Sequence, residues 1–469
     1  MTEEEGRLSS IVLGPGDTFQ QQIAGASLVR VDRLYEPEKA NFSPRIGLAW
    51  DPAGTGRMSI RSGFSLAYQP HHGQSISGAR ALPPDAIDGV IQPANGIGTQ
   101  ILYDIPVPYN PEFGRGLNDS GGVQSRPGEP PIRITGFVVN PTIKTQYTES
   151  WFLNGQRRVG QHWVVELGYA GTQGVNLERI DDVNRFNGDL LDGREDRLIP
   201  NFGVLLFVTN GVSSTYHAFT SEIRREFTGG FSLQANYRWS RWLDTSSDTS
   251  TGQFQDNAEP GKGAQDITCL RCERARSLFD VPHRFASSLV YQPTGFDNRD
   301  DLVGQLLKRW QVSAVVTAQS GRPFSVWNGA ALSAGGDYNA DGGGGAVGGG
   351  FYDRPNAPDA GAISSGFSQE DFLTGLFPAS AFPKPAPGAN GTLGRNTFRG
   401  PRYATLDLSL TRTIGLRGVR QAQLRLDVYK ALNTLNLYLP NADLSVSNFG
   451  KSTQAFDARV IQLGVKVQF

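Results

Sequence analysis

Cysteine is almost missing: the 469 residues hold 2, Cys269 and Cys272. That is too few for a disulfide scaffold. No run of about 18 apolar residues occurs, which excludes a transmembrane helix but not a membrane-spanning β-barrel, whose strands show only alternation. A basic excess is missing too, with 44 Lys+Arg against 45 Asp+Glu and a net charge of -1. A general nucleic-acid binder would usually carry such an excess, so no nucleic-acid partner is expected. The opening MTEEEGRLSS has neither a basic n-region nor an apolar h-region, and carries no export address. G-x-S-x-G, H-E-x-x-H and Walker patterns are absent, so no enzyme and no catalytic residue is expected.

What the chain has instead is glycine, arginine and alternation. Glycine accounts for 57 residues, well above a usual share of about 7%. Arginine makes up 36 of the 44 basic residues, and its fixed fork of donors suits carboxylate networks. Near the C-terminus Ile461, Leu463, Val465, Val467 and Phe469 alternate with Gln462, Gly464, Lys466 and Gln468. One face of such a strand is apolar and the other polar. The same period recurs at Leu406, Leu408 and Leu410, at Leu424, Leu426 and Val428, and from Phe231 to Trp239.

Eleven segments read this way: 43–52, 58–70, 144–159, 163–174, 214–227, 231–242, 282–294, 310–326, 402–414, 420–435 and 458–469. Most exceed the usual globular strand of about 5–6 residues and suit a tilted bilayer span of roughly 9–11. The links alternate as well. Short ones fall at 51–57, 160–162, 228–230 and 415–419, with 295–309 somewhat longer; long ones fall at 71–143, 175–213, 243–281, 327–401 and 436–457. Short periplasmic turns and long extracellular loops explain that segregation. A soluble β-sandwich would also alternate, but inward rows bearing Arg238, Glu166, Asp427 and Lys466 suit a wet lumen better than a dry core. The expected fold is all-β, an antiparallel up-and-down meander of about eleven long strands.

These segments resemble the C-terminal half of the barrel of TonB-dependent outer-membrane transporters, nearest the Oar-like branch. The likeness runs over about 42–469. It is carried by FSPRIGLAWDP (42–52), MSIRSGFSLAYQP (58–70), QYTESWFLNGQRRV (146–159), VVELGYAGTQGVNL (164–177) and YHAFTSEIRREFTGGFSLQANYRWSRWLD (216–244). SLFDVPHRFASSLVY (277–291), WQVSAVVTAQSGRPFSV (310–326), LGRNTFRGPRYATLDLSLTR (393–412) and LRLDVYKALNTLN (424–436) continue it. The resemblance implies half of a 22-stranded outer-membrane barrel, with 1–41 an extracellular-loop remnant and 42–469 the C-terminal portion of the barrel. It implies the barrel part of a receptor importing a large, scarce solute across the bacterial outer membrane. The signal peptide, TonB-contacting box and plug domain of the family are not in this sequence, so the chain reads as a fragment that meets TonB only through a missing N-terminal part.

The resemblance also makes Phe469, with Val467, Val465 and Leu463, the signal by which barrel-assembly machinery inserts the chain among outer-membrane lipids. Tyr237, Trp239, Trp242 and Trp327 are the expected interfacial aromatics. Lys430 and Leu432 stand where the family usually has Asn and Phe, and Lys430 is placed near the extracellular rim. In SGRPF, Pro323 should disturb strand pairing.

Three constellations remain. Asp337, Asn339 and Asp341, followed by Gly342, spell D-x-N-x-D-G, with Asp353 further on; alternating oxygen ligands around a glycine turn suit calcium, although position twelve is Gly348 rather than an acid. Cys269 and Cys272 form C-x-x-C in a long link, read as a local disulfide. His71 and His72 adjoin at a loop rim, and as strand neighbours would point opposite ways.

Transport competes with two other functions, a surface binding or adhesion protein and a passive porin. One geometric expectation follows from the strand count. With eleven antiparallel strands the first and last run the same way, so closing them on each other would require a parallel pair. Segments 43–52 and 458–469 should therefore be open edges, unless 20–35 adds a twelfth strand, which Ala24, Ala26 and Leu28 allow and the phase change at Val29 and Val31 opposes.

Overall fold

The computed structural model describes residues 8–71, 134–194, 196–200, 202–247, 264–296, 299, 301–330, 335–342, 353–359, 361, 366–416 and 421–468. The chain opens with β1 (Ser9–Val12), α1 (Phe19–Ala24) and β2 (Ser27–Arg30), then β3 (Arg45–Trp50), β4 (Met58–Gln69) and β5 (Ile134–Val139). The longest strands follow: β6 (Gln146–Val159), β7 (Trp163–Asp182), β8 (Phe202–Thr228) and β9 (Phe231–Asp244). After β10 (Ala275–Arg276) come β11 (His283–Tyr291), α2 (Leu302–Leu307), β12 (Trp310–Gln319), β13 (Pro323–Phe324) and α3 (Gln369–Thr374). The chain ends with β14 (Phe398–Arg399), β15 (Tyr403–Gly415), β16 (Gln421–Tyr429) and β17 (Val460–Gln468).

Eleven of these strands form one path, β3-β4-β6-β7-β8-β9-β11-β12-β15-β16-β17, and every neighbouring pair along it is antiparallel. Each coincides with one of the eleven alternating segments. β5 and β10 join off the path, giving a sheet of 13 strands. The sheet is not closed: β3 pairs only with β4 and β17 only with β16. Because each strand reverses direction, the short links all fall at one end and the long ones at the other, as loop length foretold.

Register makes the two faces explicit. Directly paired residues share a face, as do residues two apart on one strand. Ile46 is opposite Phe64, and Phe64 opposite Trp151. Leu153 is opposite Tyr169, Tyr169 opposite Phe219, and Phe219 opposite Trp239. Tyr237 meets Phe285, Leu289 meets Ala314, Ala314 meets Leu408, Leu408 meets Val428, and Val428 meets Ile461. One apolar face thus runs from edge to edge, with Leu463 84% exposed on it. The other face is polar. Glu166 lies opposite both Gln156 and Glu222, Glu222 opposite Asn236, and Ser409 opposite Asp427. Like charges facing each other would be costly in a dry core and are tolerable in water.

Several elements depart from the sequence reading. β7 and β8 run well past 174 and before 214, because the pairing shifts between Gly174 and Leu177, where Asn176 takes a positive φ of 53°. That bulge breaks the alternation without ending the strands. β5 pairs in parallel with the β8 extension and had been read as part of a long loop. β12 stops at Gln319, before the proline of SGRPF; β16 stops at Tyr429, where Lys430 turns with φ 51°. No twelfth strand joins from 20–35. A Thr18–Gln21 capping box starts α1 there, and Ser27–Arg30 pairs with β1 instead. Between β8 and β9, Gly229 and Gly230 both have positive φ, and a Cβ on Gly230 would sit 1.9 Å from the Gln292 carbonyl oxygen.

Buried hydrophobic clusters form at the long-link end. Ile11 and Ile23 pack with Val138, Phe202 and Leu205, while Leu8 and Leu34 pack with Val139 and Val208. A third cluster gathers Phe324, Phe377, Phe382, Ala442 and Phe449 from the last two long links. The sheet itself keeps its apolar side outward, so only the cap over its end has an interior of the usual kind.

Candidate functional site

The cap is held together by arginine. Arg185, just beyond β7, donates to Asp341 at 2.7 Å, and both side chains are buried. Arg354 donates to Glu273 at 2.8 Å and to the Leu393 carbonyl at 3.0 Å. Arg395 pairs with Asp244 at the end of β9, and Arg399 with Asp280. The pairs join the β12–β15 link (320–402) to the end of β7, to the end of β9 and, twice, to the β9–β11 link. Further hydrogen bonds to a buried pair offset part of its desolvation cost. Here the Gln265 backbone N–H donates to the same Glu273 Oε1 that Arg354 uses and the Gln265 side-chain oxygen accepts from the Arg354 backbone N–H, while Glu273 Oε2 has no partner among the described residues.

The D-x-N-x-D-G residues do come together, but as a hydrogen-bonded turn. Asp337 accepts from the backbone N–H groups of Asp341 and Gly342; Asp353 accepts from those of Tyr338 and Asn339. Asn339 donates to Asp341 and to Asn390. Arg185 is seated against Asp341. Among the described residues no group of three His, Cys, Asp or Glu side chains is placed to hold a metal ion. Burial, together with the charge of Asp341, pushes the Asp353 carboxyl up to about 7. Asp337 is raised by the same two causes. Burial would lower the Arg185 guanidinium, but the surrounding aspartates, Asp341 first, hold it above its ordinary value.

Cys269 and Cys272 are joined as a disulfide in the β9–β11 link. His71 is buried against Glu178, with Nδ1 3.5 Å from the carboxylate, and edge-on to Tyr35. It lines no rim, because Glu178 belongs to the β7 extension that the loop reading missed. His72, Gly348 and Phe469 lie outside the described residues. Leu463, Val465 and Val467 occupy the outward row of β17. Lys430 sits at the rim, its ammonium donating to the Asp457 carbonyl and lying 5.9 Å from the Phe456 ring.

Clefts open in the cap, among them two small ones and a third of about 530 Å³ lined by Ser320, Phe367, Phe372 and Asn436. One, of about 470 Å³, is lined by Phe19, Ile23, Arg185, Phe186, Gln265 and Asp341. The other, of about 440 Å³, lies where β12 and β15 meet their links, among Gln319, Arg322, Tyr403, Tyr438, Gln454 and Phe456. Gln319 and Tyr403 face each other on the polar side of the sheet, and Tyr438 stacks on Phe456 with centroids 4.2 Å apart. Both clefts have the size of a small-ligand site.

Aromatic levels bound the apolar face. At the short-link end Trp50, Trp163, Phe231, Tyr291 and Trp310 each begin or end a strand on the outward row. Arg225 lies over Trp163 and Phe231, and Arg412 over Trp310. Higher up are Trp151, Tyr169, Tyr237 and Trp239. Of the expected aromatics, Tyr237 and Trp239 belong there. Trp242 falls on the opposite face against Tyr216 and Phe279, and Trp327 packs in the cap. The lower level was missed, although each member stands where an alternating row meets a short link.

A family model described as an outer membrane beta barrel domain matches residues 1–462. No curated protein matches the chain. Among solved structures it is similar to the outer membrane transporter YddB from Escherichia coli, with 10% identity, a TM-score of 0.45, and coverage of 91% of this chain and 40% of that one. The siderophore receptor PiuA from Acinetobacter baumannii gives 9% identity and a TM-score of 0.40, covering 90% and 35%. The ferripyoverdine receptor of the Pseudomonas aeruginosa outer membrane gives 9% and 0.40, covering 93% and 33%. The chain spans two fifths or less of the length of these proteins.

Proposed function

The chain belongs to the outer membrane beta barrel domain family and so to the bacterial outer membrane, and from that footing we propose that it forms the C-terminal half of a TonB-dependent receptor barrel importing a large, scarce solute. The observation that carries this reading is the sheet itself: eleven strands with one apolar and one polar face and two unpaired edges running the same way. Open edges do not persist in lipid. An antiparallel complement must supply an odd number of further strands, and eleven more give a lumen of the size that outer-membrane transporters plug. Residues 1–41 are then the end of an extracellular loop, and its Ile11, Ile23 and Leu34 pack on the β7–β8 extension. The clefts beside Arg185 and Tyr438 are where a solute would first be held. TonB would act through a part outside these residues, while the barrel-assembly machinery and lipid meet the outward rows.

The test uses the natural full-length protein purified from outer membranes. Capture by the periplasmic domain of TonB, with no steady conductance in a planar bilayer, is the expected result. Steady open-channel conductance without TonB capture would establish a passive porin instead. Neither conductance nor capture, with loss of surface attachment when the gene is deleted, would establish an adhesin.

A further inference from the structure

The link between β11 and β12 is longer than reversing a strand requires. A tight glycine turn suffices at the same end between β8 and β9, where Gly229 and Gly230 connect them. Here 292–309 intervene and carry α2, the only helix at the short-link end among the described residues. Asp301 caps it, its carboxylate accepting from the Gly304 N–H at 3.0 Å. Leu302, Val303, Leu306 and Leu307 fall at i, i+1, i+4 and i+5, and so share one face. They are 76%, 45%, 57% and 42% exposed. Gly304, on the opposite face, is buried against Arg299, whose carbonyl oxygen would lie 2.3 Å from an added Cβ. The helix therefore closes one side on its own link and presents four large apolar side chains outward.

Two hydrogen bonds define what lies outward. Trp310 donates from Nε1 to the Leu306 carbonyl at 2.7 Å, and Arg412 donates to the Gln305 carbonyl at 2.6 Å. Trp310 and Arg412 pair across the ladder, and both stand in phase with Ala314 and Leu408 on the outward rows. α2 is thus tied to the lipid-facing side of the wall, at the lower aromatic level and continuous with the apolar face above it. Strands that complete the wall add at β3 and β17, six strands from β11 on one side and three from β12 on the other. Whatever fills the lumen lies on the opposite face. Neither reaches this helix, and the surface it continues is the one that meets lipid.

We propose that α2 is an interfacial helix, lying in the membrane plane with Leu302, Val303, Leu306 and Leu307 among the acyl chains of the periplasmic leaflet. An apolar patch left in water is unfavourable, whereas the apolar face of an interfacial helix sits about 5–10 Å into the headgroup and acyl boundary. The β11–β12 hairpin is thereby fixed in depth near the middle of the wall. The assignment rests on the outer-membrane placement of the sheet and is independent of which solute the barrel admits.

The natural full-length protein would be produced in outer membranes with photoreactive p-benzoylphenylalanine replacing Leu306, Leu408 or Ala53 in turn, irradiated, and its adducts identified by mass spectrometry. All three side chains are accessible, so folding is retained. Leu408 reports lipid contact at the middle of the wall, and Ala53, exposed in the 51–57 link at the same end, reports water. Phospholipid adducts should form at 306 about as often as at 408, and several times more often than at 53. Equal yields at 306 and 53 would overturn the assignment. So would capture of a second copy of the chain or of another protein at 306, or lipid at 408 with none at 306. Lipid at neither 306 nor 408 would overturn it together with the placement of the sheet.

Discussion

Replacing Leu408 with arginine tests the orientation of the whole sheet. Leu408 lies on the outward face between Ala314 and Val428. It is four residues from Arg412, which pairs with Trp310 and marks the lower aromatic level. At about 3.4 Å per residue and a tilt near 40°, it stands roughly 10 Å above that level, close to the middle of an apolar band about 25 Å tall. An arginine there should cost about 2–4 kcal/mol. Ser409, the next residue, faces the lumen between Ser313 and Asp427. An arginine at 409 finds water and a carboxylate, and should cost well under 1 kcal/mol. In the natural full-length protein, L408R should sharply lower the amount of heat-modifiable, outer-membrane-inserted protein, while S409R stays near wild type. Equal loss in both, or tolerance of L408R, would refute the assignment of faces.

Three further outcomes are expected. R354A strands the Glu273 carboxylate, which is 1% exposed, and should destabilise the cap by about 3–5 kcal/mol; R354M/E273Q should recover much of it, measured by urea unfolding in micelles, and identical losses would show that the pair has no electrostatic role. The Asp353 carboxyl, raised from 3.8 to about 7, binds its proton more tightly folded than unfolded, so its contribution is complete below about pH 4 and fades as pH rises towards 7. Melting between pH 4 and 8 should therefore fall more steeply for wild type than for D353N, and equal slopes would contradict the buried-acid reading. Gly54 and Gly230 both have positive φ, but only Gly230 also meets a carbonyl; G54A should cost about 1–2 kcal/mol from backbone strain and G230A clearly more, and equal urea midpoints would argue against the close approach at Gln292.

The barrel wall was legible because its physics is local. A strand between lipid and water must alternate, and links shorten where no function needs them long, so Leu406–Leu410 and Ile461–Val467 announce themselves. The cap was legible only in part. Asn176 shifts the phase of β7 and hides a further turn of strand. The sequence shows the alternating acids of Asp337–Asp341 but not that Arg185, distant in sequence, pairs with Asp341. Arginine's dominance over lysine hinted at carboxylate networks, but which arginine meets which acid depends on how four long links fold over one another. The placement of α2 needed the ladder register as well, because the outward phase of Trp310 and Arg412 decides which side of the wall it lies on.

The β12–β15 link also sets an order of assembly. Its buried partners are far away along the chain, 156 residues for Arg185–Asp341, 151 for Arg395–Asp244, 119 for Arg399–Asp280 and 81 for Arg354–Glu273. Asp244, Glu273 and Asp280 are made long before the arginines that neutralise them, and burying them alone would cost several kcal/mol each. The strands can pair while these carboxylates are still hydrated, but the cap cannot close until 341–399 has arrived. Hairpins therefore come first and the lid last, when the wall that positions it is already standing.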